Sequence, residues 1–264
     1  MRKLVVNADD FGFTRDVNRG IVEAHRNGIL TSTTLMATGA AFDDAVGLAR
    51  ENPALDIGVH LVLVGEPPFP LTMAQLMRAV LRGHIRVYDE LRTQVRRVID
   101  AGLEPTHLDT HKHTHLLPPV LDAVARLSEE YKIPWVRRPF DLPLTLRTRP
   151  GIGWAKRVTS QALGVVRGRF ARVLVRHGCR STDHFAGFQI TGRYNAAELA
   201  HLIRALPEGS TEFMCHPGIC GDELRAARTR LKESRERELR ALTSPEVRTA
   251  LSESGVQLVT YRGL

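Results

Sequence analysis

Hydrophobic and polar positions change their spacing at regular intervals along the chain, and these changes predict alternating strands and helices. Short runs rich in β-branched residues, such as 4–7 and 29–38, favour strands. Segments whose apolar positions recur every three or four residues, such as 14–28 and 118–131, favour helices. Alternation at this frequency is typical of βαβ units, so we expect a parallel sheet.

The predicted elements cover most of the chain. Strands are predicted at 4–7, 29–38, 55–63, 105–109, 134–137, 184–190, 211–215 and 256–261. Helices are predicted at 14–28, 40–51, 72–101 with a break near Gly83, 118–131, 195–206, 222–242 and 245–254. This α/β pattern of about seven strands suits an irregular parallel (β/α) barrel of the TIM type. We therefore expect one domain, 1–264, with a basic variable insertion at about 142–182.

Charge is concentrated in one segment of the chain. The formal net charge is +8, and residues 142–182 carry eight Arg and one Lys without any Asp or Glu. Because the basic character is local, we expect no nucleic-acid partner. Three cysteines in 264 residues do not form a disulfide framework and fit a reducing compartment. A strand close to the N-terminus predicts no signal peptide, so we expect a cytoplasmic protein.

Polar side chains recur at or just after the ends of five predicted strands. They are Asp9, Asp10, His60, Asp109, His111, Arg137 and His216. Each of them alone has an ordinary explanation, such as an Asx turn at the paired aspartates or a hydrogen-bonded core histidine. The carboxyl ends of parallel barrel strands converge on one face, and that face holds the active site. The recurrence therefore predicts one shared site.

An aspartate with two histidines is a donor set for a divalent metal ion with open positions for water and substrate. The tract 107–115 offers more histidines than such a site needs, and spacing alone does not say which of them bind. The remainder, including His113 and His115, then orient ligands or contact substrate. A nickel-like histidine tract is an alternative, but it leaves Asp9 and Asp10 unexplained.

A metal site with a spare carboxylate and a spare histidine is typical of metal-assisted hydrolysis. The metal lowers the pKa of a bound water, a carboxylate takes its proton, and a histidine donates one to the leaving group. The sequence contains neither a glycine-rich phosphate loop nor a G-x-S-x-G nucleophile elbow. Hydrolysis through a metal is therefore the reaction class that the sequence favours.

Five motifs resemble the YdjC-like carbohydrate deacetylases, which include the chitooligosaccharide deacetylases. They lie at 6–12, 27–34, 57–60, 105–115 and 214–218. The resemblance implies an irregular (β/α) barrel and hydrolytic removal of acetyl from an N-acetylated sugar. It also implies one divalent ion, Mg²⁺ or Zn²⁺, and it assigns roles to particular residues. Asp10, His60 and His111 would hold the metal, Asp9 would be the base, and His216 would be the acid or orient the amide.

The resemblance is closest to the branch associated with hopanoid biosynthesis, which implies an N-acetylglucosaminyl hopanoid glycolipid as substrate. Lys112 stands where the chitooligosaccharide branch tends to have a further histidine. This departure leaves the metal set intact and keeps the substrate open. A soluble chitooligosaccharide deacetylase and a non-catalytic metal-binding barrel are the alternatives.

Residues 162–176 combine an apolar stripe with flanking arginines at helical spacing. The stripe is Ala162, Leu163, Val166, Phe170, Val173 and Leu174, and the arginines are Arg167, Arg169, Arg172 and Arg176. Such a helix fits an anionic membrane surface, which would place the protein peripherally at the inner face of the membrane. It equally fits a helix packed on the barrel with its arginines reaching to solvent. A homodimer is compatible with the sequence.

Overall fold

The computed structural model describes residues 1–65, 67–142 and 166–264 and has a parallel sheet at its centre. Its strands are β1 (Arg2–Phe11), β2 (Ser32–Leu35), β3 (Asp56–Leu61), β4 (His107–Thr110), β5 (Trp135–Val136), β6 (His184–Ala186), β7 (Gly209–Cys215) and β8 (Gln257–Leu258). Its helices are α1 (Arg15–Arg26), α2 (Phe42–Glu51), α3 (Met73–Leu81), α4 (Val87–Asp100), α5 (Pro118–Tyr131), α6 (Arg167–Arg176), α7 (Ala196–Arg204), α8 (Asp222–Ala226), α9 (Glu233–Leu242) and α10 (Pro245–Ser254). Most of the predicted basic insertion lies outside the described residues.

The sheet curls until its two edges meet. Its strand order is β5-β4-β3-β2-β1-β7-β6, with every neighbouring pair parallel, and β8 pairs with the start of β1. Two isolated parallel bridges, Trp135 with Arg180 and Asp141 with Phe185, join the β5 side to the β6 side. The predicted irregular parallel barrel is confirmed.

Local signals explain where several helices begin and end. The Thr14 hydroxyl caps α1 by accepting a hydrogen bond from the Val17 amide at 3.2 Å. Proline at the first position of α5 fits a helix start, and Lys132 ends that helix in the left-handed conformation. Both helices therefore lie close to their predicted bounds.

Two predicted elements near the C-terminus are wrong in length. The single helix predicted at 222–242 is two helices, α8 and α9, separated by residues 227–232. The strand predicted at 256–261 is only the two-residue β8, followed by a 3-10 turn at Tyr261–Gly263. Charged helical periodicity continues across the first break, so pattern alone does not reveal it.

Helix α6 contains part of the stripe that suggested a membrane contact, and 162–165 lie outside the described residues. Phe170, Val173 and Leu174 are buried. The Phe170 ring centroid lies 5.3 Å from that of Phe140 and 5.6 Å from that of His115. At these three positions the stripe packs on the barrel. None of the described helices has the length and apolar character that a membrane span requires.

Two helical glycines differ in what surrounds them and provide a matched test of packing. A Cβ on Gly20 in α1 would lie 2.4 Å from the Gly218 Cα, whereas a Cβ on Gly47 in α2 would meet nothing within 4 Å. We expect Gly20→Ala to destabilise the protein by about 1–3 kcal/mol, because α1 must move away from the 216–218 loop. Gly47→Ala should instead stabilise it by about 0.5–1 kcal/mol. Urea unfolding measures both, and equal stabilisation would contradict this packing.

Candidate functional site

A bulge near the end of β1 positions the paired aspartates. We expected Asp9 and Asp10 to follow the strand, but they lie inside it, before Phe11. The pairing of β1 with β2 shifts register between Ala8 and Phe11, and Asp10 adopts a φ of 70°. Successive side chains of a regular strand point to opposite faces, and a bulge re-aims one of them. Asp9 and Asp10 therefore both line one cavity.

Three donor atoms from β1, β3 and the segment after β4 converge beside this bulge. Asp10 Oδ1 lies 3.4 Å from His60 Nε2 and 3.3 Å from His111 Nδ1, and the two ring nitrogens are 3.2 Å apart. Tetrahedral ligands at about 2.0–2.1 Å from a metal are about 3.3 Å from one another. Asp10 Oδ1 is buried and has no hydrogen-bond partner among the described residues. Asp10, His60 and His111 thus form a group that could hold a metal ion.

Asp109 orients His60 within this group. His60 Nδ1 lies 2.7 Å from Asp109 Oδ1, and the Thr34 hydroxyl donates to Asp109 Oδ2 at 3.1 Å. Donation from Nδ1 to a carboxylate leaves Nε2 as the ligand atom, as in carboxylate–histidine–metal arrangements. Burial lowers the pKa of His60, but Asp109 and Asp10 outweigh it and raise the pKa to about 10. Surroundings that favour a positive charge so strongly also favour a divalent cation.

Arg137 binds three buried carboxylates. Its Nη1 and Nη2 contact Asp9 at 2.8 and 2.6 Å, Nη1 lies 2.7 Å from Asp109, and Nε donates to Glu212 at 2.6 Å. Burial would raise the pKa of Asp9, but Arg137 outweighs it and holds that pKa well below its usual range. Burial raises the pKa of Glu212 to about 7 despite Arg137. Asp9 is therefore ionised at neutral pH.

His216 lies directly after β7 and close to Asp9. Its Nε2 is 3.9 Å from Asp9 Oδ2, and its backbone N–H donates to Glu238 Oε2 at 2.6 Å. Burial lowers the pKa of His216 below 6.5, although Glu238 and Asp9 act in the opposite direction. The imidazole is therefore mostly neutral at pH 7.

The prediction from sequence missed two charged residues of α9 that support the site. Arg235 Nη2 contacts Asp10 Oδ2, and Glu238 contacts His216 as described above. Both are buried, with 1% of their surface exposed. Leu231, Arg235, Glu238 and Leu242 recur at helical spacing. Two charged residues in an apolar stripe were the signal that could have identified them.

The site residues predicted from sequence fall into three places. Asp9, Asp10, His111, His113 and His216 line a cavity of about 510 Å³, while His60, Asp109 and Arg137 lie behind its wall. His115 does not line the cavity. It is fully buried, and its Nε2 lies 3.1 Å from the Arg137 carbonyl oxygen. Of the two roles predicted for His115, orienting other groups or contacting substrate, this buried contact with the Arg137 backbone fits the first.

Comparison with known proteins finds relatives along nearly the whole chain. Residues 3–253 match the family described as YdjC-like protein. The chain is 34% identical to a carbohydrate deacetylase of Brevibacillus brevis, covering 99% of each chain. It is also 34% identical to a chitooligosaccharide deacetylase of Salmonella paratyphi B, covering 96% of each.

Solved structures show the same fold. A protein from Enterococcus faecalis whose description proposes cleavage of cellobiose phosphate superposes with a TM-score of 0.75. It is 26% identical, and the match covers 99% of this chain and 98% of that one. A lactam utilization protein from Thermus thermophilus, 16% identical with a TM-score of 0.52, shares the fold over 97% of this chain and 98% of its own. With the family match spanning nearly all of its length, the chain belongs to the YdjC-like family.

Proposed function

We propose that this protein is a metal-dependent hydrolase that removes the acetyl group from an N-acetylated amino sugar. The observation that carries the proposal is that Asp10, His60 and His111 converge beside two further groups, Asp9 and His216, and that all of these residues except His60 line one cavity. Metal binding alone needs no ionised carboxylate and no histidine next to the ligands. The names of the relatives from Brevibacillus brevis and Salmonella support the substrate class.

Asp10, His60 and His111 would hold the metal, with Asp109 fixing the tautomer of His60. A divalent ion bound there would lower the pKa of a water molecule and polarise the amide carbonyl. Asp9 accepts the proton of the attacking water, and Arg137 keeps Asp9 ionised and fixed in direction. The ion pair with Arg137 also makes Asp9 a weaker base. Asp9 would therefore accept a proton only from a water molecule whose pKa has been lowered.

His216 acts in its neutral form to orient the amide, because burial lowers its pKa. Asp9 then passes the proton that it has accepted to His216 Nε2, which lies 3.9 Å from Asp9 Oδ2. His216 donates this proton to the leaving amine. Hydrogen bonds in a free enzyme are often long and shorten when substrate binds. Glu238, which holds the His216 backbone, keeps the ring in place.

The pH profile tests the protonation state of His216. A histidine that works neutral loses activity as pH falls through its pKa, which lies below 6.5 here. We therefore expect kcat to be constant from pH 7 to 8 and to fall only at more acidic pH, where His216 becomes protonated. His216→Gln should lower kcat by about 10²–10⁴-fold. Metal content measured at each pH separates loss of the ion from titration of His216, and a rate that falls as pH rises through 7 would require a protonated His216.

Acetate release tests the proposed activity directly. Protein loaded with Zn²⁺ or Mg²⁺ is incubated with di-N-acetylchitobiose, and free acetate is measured alongside metal-free protein. We expect acetate only from the metal-loaded sample. Tight metal binding without turnover of any N-acetyl sugar would instead favour the non-catalytic metal-binding barrel.

Two candidate substrates give two forms of this proposal. The resemblance to the hopanoid-associated branch supports an N-acetylglucosaminyl hopanoid, and the Salmonella relative supports a soluble chitooligosaccharide. Mass spectrometry of lipids from a strain lacking this chain distinguishes them. Accumulation of a glycolipid heavier by one C₂H₂O unit supports the hopanoid, and unchanged lipids support the soluble sugar. The peripheral membrane location and the homodimer stay predictions.

A further inference from the structure

Helix α3 has apolar side chains on two sides, and one of these sides faces solvent. Met73, Leu76 and Val80 pack against the core, and Leu76 is buried. Met77 and Leu81 have 47% and 82% of their surface exposed. Because residues four positions apart lie on the same side of a helix, these two form one exposed apolar row. A helix with apolar residues all round is normally covered, so this row is expected to meet a partner.

Arginines border this apolar row, and no acidic residue is near them in sequence. Arg78 and Arg82 each follow one of the exposed apolar residues, and Arg86 lies four positions further; all three are exposed. Residues 67–88 contain no Asp or Glu. Within the part of the chain that the structure describes, none of these arginines forms an ion pair through its side chain. The charges on this side of α3 therefore complement a negatively charged partner.

The loop before α3 places this surface next to the active-site cavity but outside it. Gly65 lines the cavity, and its amide donates to the Pro70 carbonyl at 2.7 Å, which closes the loop. Leu71, which is 49% exposed, follows directly and extends the apolar row. The Thr72 hydroxyl then accepts from the Gln75 amide at 3.3 Å and starts the helix with a capping box. The row thus begins beside the cavity, and no residue of α3 lines it.

We propose that α3 docks on the surface of an anionic lipid bilayer. Its exposed apolar row enters the boundary between headgroups and acyl chains, and its three arginines lie at the headgroups. An apolar row bordered by arginines is the pattern of a helix that lies in a membrane interface. Docking there holds the cavity near an amino sugar carried on a lipid. This last step rests on the proposed function, whereas the docking itself does not.

A second copy of the chain fits this surface less well than a bilayer does. A two-fold interface brings the same patch of each copy together, so the arginines of one copy would face those of the other. Residues 67–88 supply no carboxylate to separate them, and the formal net charge of +8 also opposes close approach. A bilayer instead offers negative charge directly beside an apolar layer.

Sedimentation with vesicles measures the docking. The vesicles contain phosphatidylglycerol and phosphatidylcholine in equal amounts, or phosphatidylcholine alone. We expect wild type to bind the anionic vesicles selectively and to bind them less as salt is raised. The double variants Met77→Ser, Leu81→Ser and Arg78→Gln, Arg82→Gln should each weaken this binding by about tenfold or more. Wild type that does not distinguish the two kinds of vesicle would overturn the proposal.

Matched controls remove the same groups from exposed positions elsewhere. Val175→Ser, Leu258→Ser replaces two apolar residues that are 78% and 37% exposed. Arg96→Gln, Arg176→Gln removes two charges from α4 and α6. We expect both controls to bind anionic vesicles within about twofold of wild type, and urea unfolding verifies that all four variants are folded. Equal loss of binding in the controls would overturn α3 as the docking surface.

Analytical ultracentrifugation distinguishes the other occupants of this surface. We expect Met77→Ser, Leu81→Ser to have the same oligomeric state as wild type. A wild-type dimer that this variant dissociates would assign the surface to a second copy and overturn the bilayer. A monomer that binds neither kind of vesicle would also overturn it and would leave an acidic protein surface as the occupant.

Turnover separates docking from an effect on the active site. Metal-loaded wild type and Met77→Ser, Leu81→Ser receive an N-acetylglucosaminyl lipid in anionic vesicles or soluble di-N-acetylchitobiose. We expect the variant to release acetate about tenfold more slowly from the lipid and at the wild-type rate from the soluble sugar. Equal loss on both substrates would overturn the role of α3 in presenting a lipid-borne sugar. Selective vesicle binding without acetate from either substrate would support the docking surface and refute the deacetylase proposal.

Discussion

His60→Ala is expected to abolish both tight binding of a divalent ion and acetate release. The ring supplies the central donor of the metal group, with Nε2 within 3.4 Å of both other ligand atoms. Loss of a residue that only supports a ligand weakens metal binding roughly 10–100-fold. Loss of the ligand itself should weaken metal binding more. Affinity is measured by competition with a chromophoric chelator, and acetate in the same samples.

Asp109→Asn and His84→Ala provide graded controls for His60. Asp109 contacts His60 Nδ1 but is not a proposed ligand. Asp109→Asn should therefore lower metal affinity by about 10–100-fold. His84 is exposed, and its replacement should change nothing. Metal affinity in His60→Ala equal to wild type would show that the ion binds elsewhere.

Arg137→Met is expected to cause the largest loss of stability of any single substitution at the site. It leaves Asp9, Asp109 and Glu212 buried without their shared cation. Removing one partner of a buried ion pair costs about 3–5 kcal/mol. This is a large part of the free energy of unfolding of a typical protein, which is about 5–15 kcal/mol. Urea unfolding at pH 8 measures the loss, and Arg96→Met, on the exposed face of α4, should change stability by less than about 0.5 kcal/mol.

The stability difference between wild type and Arg137→Met should shrink as pH falls. In wild type the pKa of Asp9 is depressed below 3.8, so the ion pair stabilises the fold above that pH and is lost below it. Without Arg137, burial raises the pKa of Asp9, and protonation then removes the buried charge as pH falls. The variant should therefore recover part of its stability between pH 8 and pH 5. A constant difference would mean that packing, not charge, accounts for the effect.

The sequence predicted the barrel and the elements that carry the site, because strand and helix periods are local properties. The same reasoning brought Asp9, Asp10, His60 and His111 to one end of the sheet. It did not predict the bulge, because the φ of 70° at Asp10 is an unfavourable conformation that only surrounding contacts can maintain. Local pattern could place these residues on elements but could not aim their side chains.

The pattern of hydrophobic and polar residues also could not predict the contacts that join distant segments of the chain. Arg137 and Glu212 lie 75 positions apart, and Arg235 and Asp10 lie 225 apart. The break at 227–232 has helix-forming residues, so its turn depends on packing rather than propensity. These tertiary contacts determine which charges are paired.

The most direct test of the account is the acetate released per bound metal ion by Asp9→Asn compared with wild type. Asp9 is proposed to take the proton of the attacking water and is not proposed as a ligand of the Asp10–His60–His111 group. We predict that Asp9→Asn binds one divalent ion with an affinity within tenfold of wild type and releases acetate about 10²–10⁴-fold more slowly. Acetate release at the wild-type rate by the metal-loaded variant would contradict the assignment of this carboxylate as the base.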